Sequence, residues 1–260
     1  METTRLNPVT LVTGATTKFG AACARWLSPR SKGGLILVDP DEDALSRMAD
    51  TLPDPPERVS MLALDASDET RWAQAASFIE SQYGRLDWAV VHTGAVVTHS
   101  ELITDTDLRA DALPADLNIA YLTMRAAMPL MRKNIDGGSI IVSASAGALK
   151  TAPDGSVDGR TGLLQLMRMA AQVGAHENIR ANAIAPGGPD TPGWARLPWI
   201  DDLVREFGSE RDALDAVGQR NPPIARYQGA EDMSRLIELL LSDGAHMTGA
   251  TLVVDGGYTL

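Results

Sequence analysis

Residues 9–20 read VTLVTGATTKFG, and this stretch decides the fold. It begins with an apolar run typical of a buried strand and passes through Gly14 into apolar residues at helical spacing. A glycine at such a turn lets the chain bend, and it lets an anionic group approach the backbone N–H groups at the helix N-terminus. The stretch therefore predicts a phosphate-binding turn between a first strand and a first helix.

The alternation of strand and helix continues along the chain. Short apolar runs, typical of strands buried on both faces of a parallel sheet, span residues 9–12, 35–38, 59–64, 88–91, 139–143, 180–185 and 251–254. Helical patterns span residues 17–27, 42–51, 69–83, 114–131, 160–174 and 230–242. This order predicts an α/β fold, a single doubly wound Rossmann-type parallel sheet with helices on both faces. Residues 187–227 interrupt the pattern with five prolines, and we expect this excursion to lie outside the strand ends, where substrate binds.

Composition limits the classes of partner. The 260 residues include 23 Lys and Arg against 34 Asp and Glu, a net charge of −11 that repels nucleic-acid backbones and anionic lipid. The single cysteine, Cys23, cannot form an internal disulfide, and the four histidines lack the spacing of a metal site. We see neither a signal-like N-terminus nor an apolar run of about 18 residues. We expect a cytoplasmic protein without a metal, whose partner is a small molecule or none, and neither nucleic acid nor membrane.

Asp39 closes the predicted second strand, 19 residues after Gly20. An acidic side chain at this place in a dinucleotide-binding unit accepts a hydrogen bond from a ribose 2′-OH and repels a 2′-phosphate. The position therefore indicates NAD rather than NADP as the bound cofactor. The alternative is that Asp39 is an ordinary surface carboxylate at a strand end.

Several motifs resemble the short-chain dehydrogenase/reductase family. Residues 13–20 resemble its Thr-Gly-x-x-x-Gly-x-Gly fingerprint, and further matches fall in order at Asp65, Gly94 and residues 182–187, 191–192, 247–249 and 254–257. The resemblance spans essentially the whole chain and implies one domain over residues 1–260 that uses NAD(H) or NADP(H), with Asp65 near the adenine and Thr191 at the nicotinamide carboxamide. The cofactor-binding residues that it implies, beside Asp39, are Gly14, Thr17, Lys18, Phe19, Gly20, Asp65, Gly94, Pro186, Gly187 and Thr191.

Lys18 departs from this fingerprint, because it stands where the family has its middle glycine. Two interpretations follow. The added Cβ and stem of Lys18 would crowd the pyrophosphate and weaken its binding. Alternatively, the ammonium group would pair with a phosphate and compensate for the lost close approach.

The proton-transfer site departs further. The family moves a hydride while a Tyr hydroxyl gives or takes the substrate proton, helped by a Lys four residues later, a Ser and an Asn. Residues 179–182 match the family's Ile-Arg-Val-Asn, and counting back through the preceding helix puts Ser156 at the Tyr position and Arg160 at the Lys position. An alkyl hydroxyl is a far weaker acid than a phenol, and Arg does not release its proton, so the site predicts loss of proton transfer. A shifted register would instead bring Asp154 or Asp158 to the site, where a carboxyl of raised pKa could act.

The remaining positions of this site leave alternatives open. Counting from either side puts the family's Ser at Ser143 or Ser145, and a period of two places both on one strand face; small residues in a packed strand end are the other interpretation. Asp116 aligns with the Asn position, with Asn118 as the fallback. His92 replaces a family Asn, and a single imidazole there indicates a hydrogen-bonded structural residue more than a base.

Where the family has a neutral Asn and a cationic Lys, this chain has the anion Asp116 and the cation Arg160. A buried guanidinium needs a partner, and a carboxylate offers acceptors that match its fork. We therefore predict a direct or water-bridged contact between them. In the alternative, Asp116 caps its helix or faces solvent while Arg160 binds a backbone carbonyl.

These observations support three functions. The first is a non-catalytic subunit beside a catalytically complete relative in an NAD(H)-dependent dehydrogenase or reductase, in a homo- or hetero-oligomer of the family's kind, whose chains commonly pair the helices at 114–131 and 160–174. The second is an active NAD(H)-dependent alcohol or ketone oxidoreductase with an atypical acid, namely Asp154, Asp158, His92 or ordered water. The third is a binding module that senses a metabolite.

Overall fold

The structure is a computed structural model. It describes residues 7–53, 56–94, 115–149, 160–187, 200–209, 229–242 and 246–260, with short pieces at 212–213, 216 and 223–224. Among the predicted site residues, Ser156 and Thr191 lie outside the described residues, as do the alternative acids Asp154 and Asp158.

Seven strands form one parallel sheet. They are β1 (Val9–Thr13), β2 (Gly34–Asp39), β3 (Val59–Ala63), β4 (Trp88–Val91), β5 (Gly138–Ser143), β6 (Ile179–Pro186) and β7 (Thr251–Val254). Their order is β3-β2-β1-β4-β5-β6-β7, and every neighbouring pair is parallel. The order reverses between β1 and β4, which is where sheets of this kind bind ligands.

Helices cover both faces of the sheet, so the predicted fold class is confirmed. They are α1 (Lys18–Leu27), α2 (Glu42–Ala49), α3 (Glu69–Tyr83), α4 (Ala115–Met131), α5 (Thr161–Gly174), α6 (Ile200–Phe207) and α7 (Ala230–Ser242). One apolar cluster joins α3, α4 and α5 to the sheet, and a second joins α1, α2 and α7 to the opposite face. Within the described ranges, no helix combines the length and the apolar character needed to cross a membrane.

The two edge strands differ from the sequence prediction. Every residue of β1, β2, β4 and β5 is buried, as an apolar run without alternation predicts. In contrast, β3 and β7 are only partly buried, and Met61 in β3 is 47% exposed. The prediction of burial on both faces was wrong for these two strands, because a strand at the edge of a sheet has a neighbour on one side only.

Candidate functional site

The glycine-rich turn after β1 is closely packed. Gly14 has φ +59°, and a Cβ on it would lie 2.8 Å from the carbonyl oxygen of His92. A Cβ on Gly20 would lie 2.1 Å from the Gly14 carbonyl oxygen, so α1 rests directly on the turn. Thr17 caps α1, because its hydroxyl accepts from the Gly20 N–H at 3.0 Å and donates to the Gly14 carbonyl at 2.7 Å. Both glycines are therefore required by the backbone path alone.

The first two residues of α1 point to different environments. Lys18 is exposed, whereas Phe19 is buried and packs against the His92 ring, with the two ring centroids 4.8 Å apart. Phe19 thereby connects the start of α1 to the residue that follows β4. The position of Lys18 at the start of the helix leaves both interpretations of its side chain in place.

Asp39 ends β2 beside the same turn. Its side chain is buried, and Oδ2 accepts from the Thr16 N–H at 3.1 Å while Oδ1 accepts from the Asp41 N–H at 3.4 Å. The carboxylate is thus fixed at the carboxyl edge of the sheet, where an acidic group can bind a ribose diol. Asp65, which follows β3, is exposed, and the Ser67 backbone N–H and hydroxyl donate to it and lower its pKa.

Two further glycines lie along the carboxyl edge. Gly94 has φ +82°, and no atom of the described residues lies within 4 Å of the place where its Cβ would be. Gly187, which follows Pro186 at the end of β6, donates to the Val254 carbonyl at 3.0 Å, and a Cβ on it would lie 2.5 Å from the Asp255 Cβ. Gly94 thus has no described residue packed against its Cα, and Gly187 lets the end of β6 approach Asp255, the residue after β7.

These residues fit a nicotinamide dinucleotide. The turn at Gly14 presents a helix N-terminus suited to a pyrophosphate, and Asp39 holds a carboxylate where a ribose would lie. Among the described residues, none crowds the Cα of Gly94. Among the described residues, no group of three His, Cys, Asp or Glu side chains could hold a metal ion.

His92 lies at the centre of this edge, directly after β4. Its backbone N–H donates to the Thr13 hydroxyl at 2.9 Å, and that hydroxyl donates back to the His92 carbonyl at 2.9 Å. On the side chain, Nδ1 lies 2.6 Å from the Ser143 Oγ. Burial, and to a smaller extent the positive charge of Arg160, lowers the pKa of His92 to about 3. The imidazole is therefore neutral at neutral pH and hydrogen-bonded, which agrees with the structural interpretation.

The structure separates the two candidate serines. Ser143 is the last residue of β5, is buried and bonds to His92. Ser145 lies beyond the strand, and its Oγ accepts from the Gly147 N–H at 3.1 Å in the turn that follows. The prediction that both lie on one strand face was wrong, because the strand ends at Ser143 and its period of two does not extend further.

The predicted contact between Asp116 and Arg160 is confirmed. Arg160 Nε lies 3.6 Å from Asp116 Oδ2, and the two side chains are 13% and 5% exposed. An Arg160 NH2 group also donates to the Gly94 carbonyl at 3.4 Å, so the backbone contact of the alternative occurs together with the ion pair. Asn118, the fallback, donates to the Ser67 carbonyl at 3.3 Å. The geometry thus brings Asp116, and not Asn118, to Arg160.

Sequence reasoning missed the pairing of His92 with Ser143. The register of β4 against β5 explains why these two residues meet. Val91 in β4 pairs with Val142 in β5, so the next residue of each strand stands at the same height. Predicting this contact needs both the neighbour relation of the two strands and their exact alignment, and apolar patterning supplies only the strands themselves.

Comparison with known proteins gives one family and many relatives. The model described as enoyl-(acyl carrier protein) reductase matches residues 14–259. The chain is 31% identical over 255 residues to cis-4-hydroxycyclohexanecarboxylate dehydrogenase of Sinomonas cyclohexanicum, covering 96% of each protein. It is 26% identical over 261 residues to the 7alpha-hydroxysteroid dehydrogenase of Bacteroides fragilis, covering 98% of this chain and 95% of the relative.

Solved structures agree on the fold. L-Sorbose reductase from Gluconobacter frateurii, solved with NADPH and L-sorbose, superposes with a TM-score of 0.77 at 22% identity, covering 100% of this chain and 99% of the other. A short-chain type dehydrogenase/reductase from Mycobacterium marinum gives a TM-score of 0.73 at 21% identity, covering 98% and 96%.

Proposed function

Because the chain belongs to the short-chain dehydrogenase/reductase family, we propose that it is an oxidoreductase-fold subunit that binds a nicotinamide dinucleotide and lacks its own proton-transfer chemistry. It supports a catalytically complete relative in an NAD(H)-dependent dehydrogenase or reductase. The observation that carries the proposal is the ion pair between the partly buried Arg160 and the buried Asp116.

The ion pair removes what the family's Lys provides. In the family, a Lys at the Arg160 position lowers the pKa of the reactive Tyr by its positive charge. Here the charge of Arg160 is balanced by the Asp116 carboxylate 3.6 Å away, and an Arg does not release its proton. Ser156, which takes the Tyr position in the helix register, has an alkyl hydroxyl that is a poor general acid. The pair therefore links α4 to the start of α5 instead of tuning an acid.

Dinucleotide binding is proposed to remain. The bound nicotinamide would supply or accept a hydride in a competent enzyme. In this chain, the turn at Gly14 would hold the pyrophosphate and Asp39 the adenosine ribose, with Asp65 and Thr191 in the positions that the family uses for adenine and carboxamide. We propose a preference for NAD(H), since the Asp39 carboxylate would repel a 2′-phosphate.

The outer face of α4 and α5 supports an oligomer. Tyr121 on α4 is 47% exposed, and Met169 and Val173, one turn apart on α5, are 62% and 60% exposed. Met169 is the one methionine of these two helices that does not pack into the core. The other four are buried, namely Met124, Met128, Met131 and Met167. An apolar surface of this kind marks an interface. We propose that it pairs with the matching helices of a family member, either a second copy or the active relative.

A second candidate function is an active oxidoreductase with an atypical acid. The relatives reported above are named as dehydrogenases and reductases, which favours it. Four acids are proposed for this function. His92 is a poor candidate, because with a pKa of about 3 it carries no proton to donate at neutral pH, and the other candidates are Asp154, Asp158 and ordered water.

Turnover of the purified chain separates the two functions. We expect no turnover with NAD(H) or NADP(H) across a panel of secondary alcohols and ketones. The double variant Ser156→Tyr with Arg160→Lys should gain activity that neither single variant has, because an acid of tuned pKa needs both groups. Robust turnover by the wild-type chain would refute the non-catalytic role and support the second function.

A further inference from the structure

His92 occupies the point where the strand order reverses. β1 and β4 are neighbours in the sheet, but β2 lies on the far side of β1 and β5 on the far side of β4. In α/β sheets, ligands bind in the crevice outside the carboxyl ends of the strands at such a point. His92 directly follows β4, and its imidazole lies against Gly14, which directly follows β1.

Three contacts fix the orientation of the imidazole. Nδ1 bonds to Ser143 at 2.6 Å, and the Phe19 ring lies 4.8 Å away between centroids. A Cβ placed on Gly14 would lie 2.9 Å from the His92 Cδ2. Cδ2, the ring carbon bonded to Nε2, therefore faces the glycine-rich turn.

Nε2 is buried and has no hydrogen-bond partner among the residues that the structure describes. The residue as a whole is only 7% exposed. Buried polar atoms in native proteins almost always have a partner, and one left without it costs free energy that a ligand group can recover. The atom is therefore a hydrogen-bonding group that the protein itself does not use, at the place where the fold binds nucleotides.

We propose that His92 Nε2 is a ligand contact of this crevice and forms one hydrogen bond with a ribose hydroxyl or the carboxamide of a bound nicotinamide dinucleotide. The inference rests on the dinucleotide binding of the proposed function. The neutral state of the ring suits such a partner, because a neutral imidazole can donate or accept at Nε2 according to its tautomer, and hydroxyl and amide groups offer both roles.

A pair of variants separates this contact from the bond to Ser143. Asn places its amide near the position of Nδ1, and Gln places its amide near that of Nε2. His92→Asn keeps a partner for Ser143 and loses the ligand contact, whereas His92→Gln does the reverse. By titration calorimetry with NADH, we expect His92→Asn to bind roughly tenfold more weakly than wild type and His92→Gln to stay within about threefold. The opposite order, or equal affinities, would show that His92 acts only by positioning Ser143.

A measurement on the wild-type chain covers the case in which a variant does not fold. In ¹⁵N-histidine-labelled protein, saturation with NADH should shift the Nε2 resonance of His92 more than those of the exposed His176 and His246. An unmoved Nε2 signal in the NADH-saturated protein would mean a water-satisfied imidazole and overturn the contact, as would a chain that binds no dinucleotide. Turnover by the wild-type chain would refute the non-catalytic role while leaving the affinity order of the variants intact.

Discussion

Replacing His92 with asparagine should make the free energy of unfolding less sensitive to acid. Burial, and then the charge of Arg160, lower the pKa of His92 from 6.5 to about 3 in the folded chain. Between these two pH values the unfolded chain binds a proton at this residue that the folded chain does not. The stability that depends on the neutral ring is therefore complete above pH 6.5 and is lost progressively as the pH falls toward about 3.

The magnitude follows from the shift. At pH 5, protonation of the unfolded histidine should cost the folded state about 2 kcal/mol relative to pH 8. Asparagine cannot take a proton, so the difference in the free energy of unfolding between pH 8 and pH 5 should be about 2 kcal/mol smaller in His92→Asn than in wild type. Asp65, whose pKa is lowered by its hydrogen bonds with Ser67, stays charged at both pH values and does not contribute to this difference. Other groups are common to both proteins and cancel in the comparison.

Urea unfolding at the two pH values measures the effect. Loss of the His92 packing lowers the stability of the variant at both pH values and leaves their difference unaffected. His176→Asn is the matched control, because it removes an exposed histidine and should keep the pH dependence of the wild type. If His92→Asn and wild type lose the same free energy between pH 8 and pH 5, the ring is not held neutral by burial and the reasoning fails.

Three further predictions concern the crevice. Lys18→Gly should raise the affinity for NAD(H) several-fold in calorimetry, because it removes a stem that crowds the pyrophosphate; a loss of affinity would make Lys18 a phosphate ligand. Wild type should prefer NAD(H) to NADP(H), and Asp39→Asn should reduce that preference; a wild-type preference for NADP(H) would remove Asp39 from its role. Asp116→Asn should lower the free energy of unfolding by about 3 kcal/mol, and Asp116→Leu combined with Arg160→Met should recover most of it; an unchanged stability in the single variant would contradict a buried pair.

The elements of the fold could be predicted from the sequence because the spacing of apolar residues differs between buried strands and helices. The predicted strands at 88–91 and 251–254 coincide with β4 and β7, and the predicted helices at 69–83 and 230–242 coincide with α3 and α7. The ends of the other predicted elements lie within two residues of the observed ones. The exposure of β3 and β7 could not be predicted in the same way, since an apolar run does not state whether the strand is central or at an edge. Edge position depends on the strand order, which is a property of the whole sheet.

Within the candidate site, sequence reasoning predicted a side-chain contact only where the charges of the residues required one. Asp116 lies on α4 and Arg160 directly precedes α5, and these two helices pack together. A guanidinium with little access to solvent requires an anionic partner, so the contact followed from the residue types. Ser143 and Ser145 carry no such constraint, and their assignment depended on where β5 ends. His92 and Ser143 are both neutral in the pair, so nothing in their charge indicated that they meet.

Electrostatics near the crevice favours the proposed subunit role independently of the proposed replacement of the family's tyrosine by Ser156. Efficient general acids have a pKa near the working pH. With its pKa lowered to about 3, His92 is neutral at pH 7, and Arg160, bound to Asp116, does not release its proton. Neither group can therefore deliver a proton to a substrate at neutral pH. An active enzyme on this scaffold would have to draw its acid from Asp154, Asp158 or water, with no cation from the Arg160 position free to tune it.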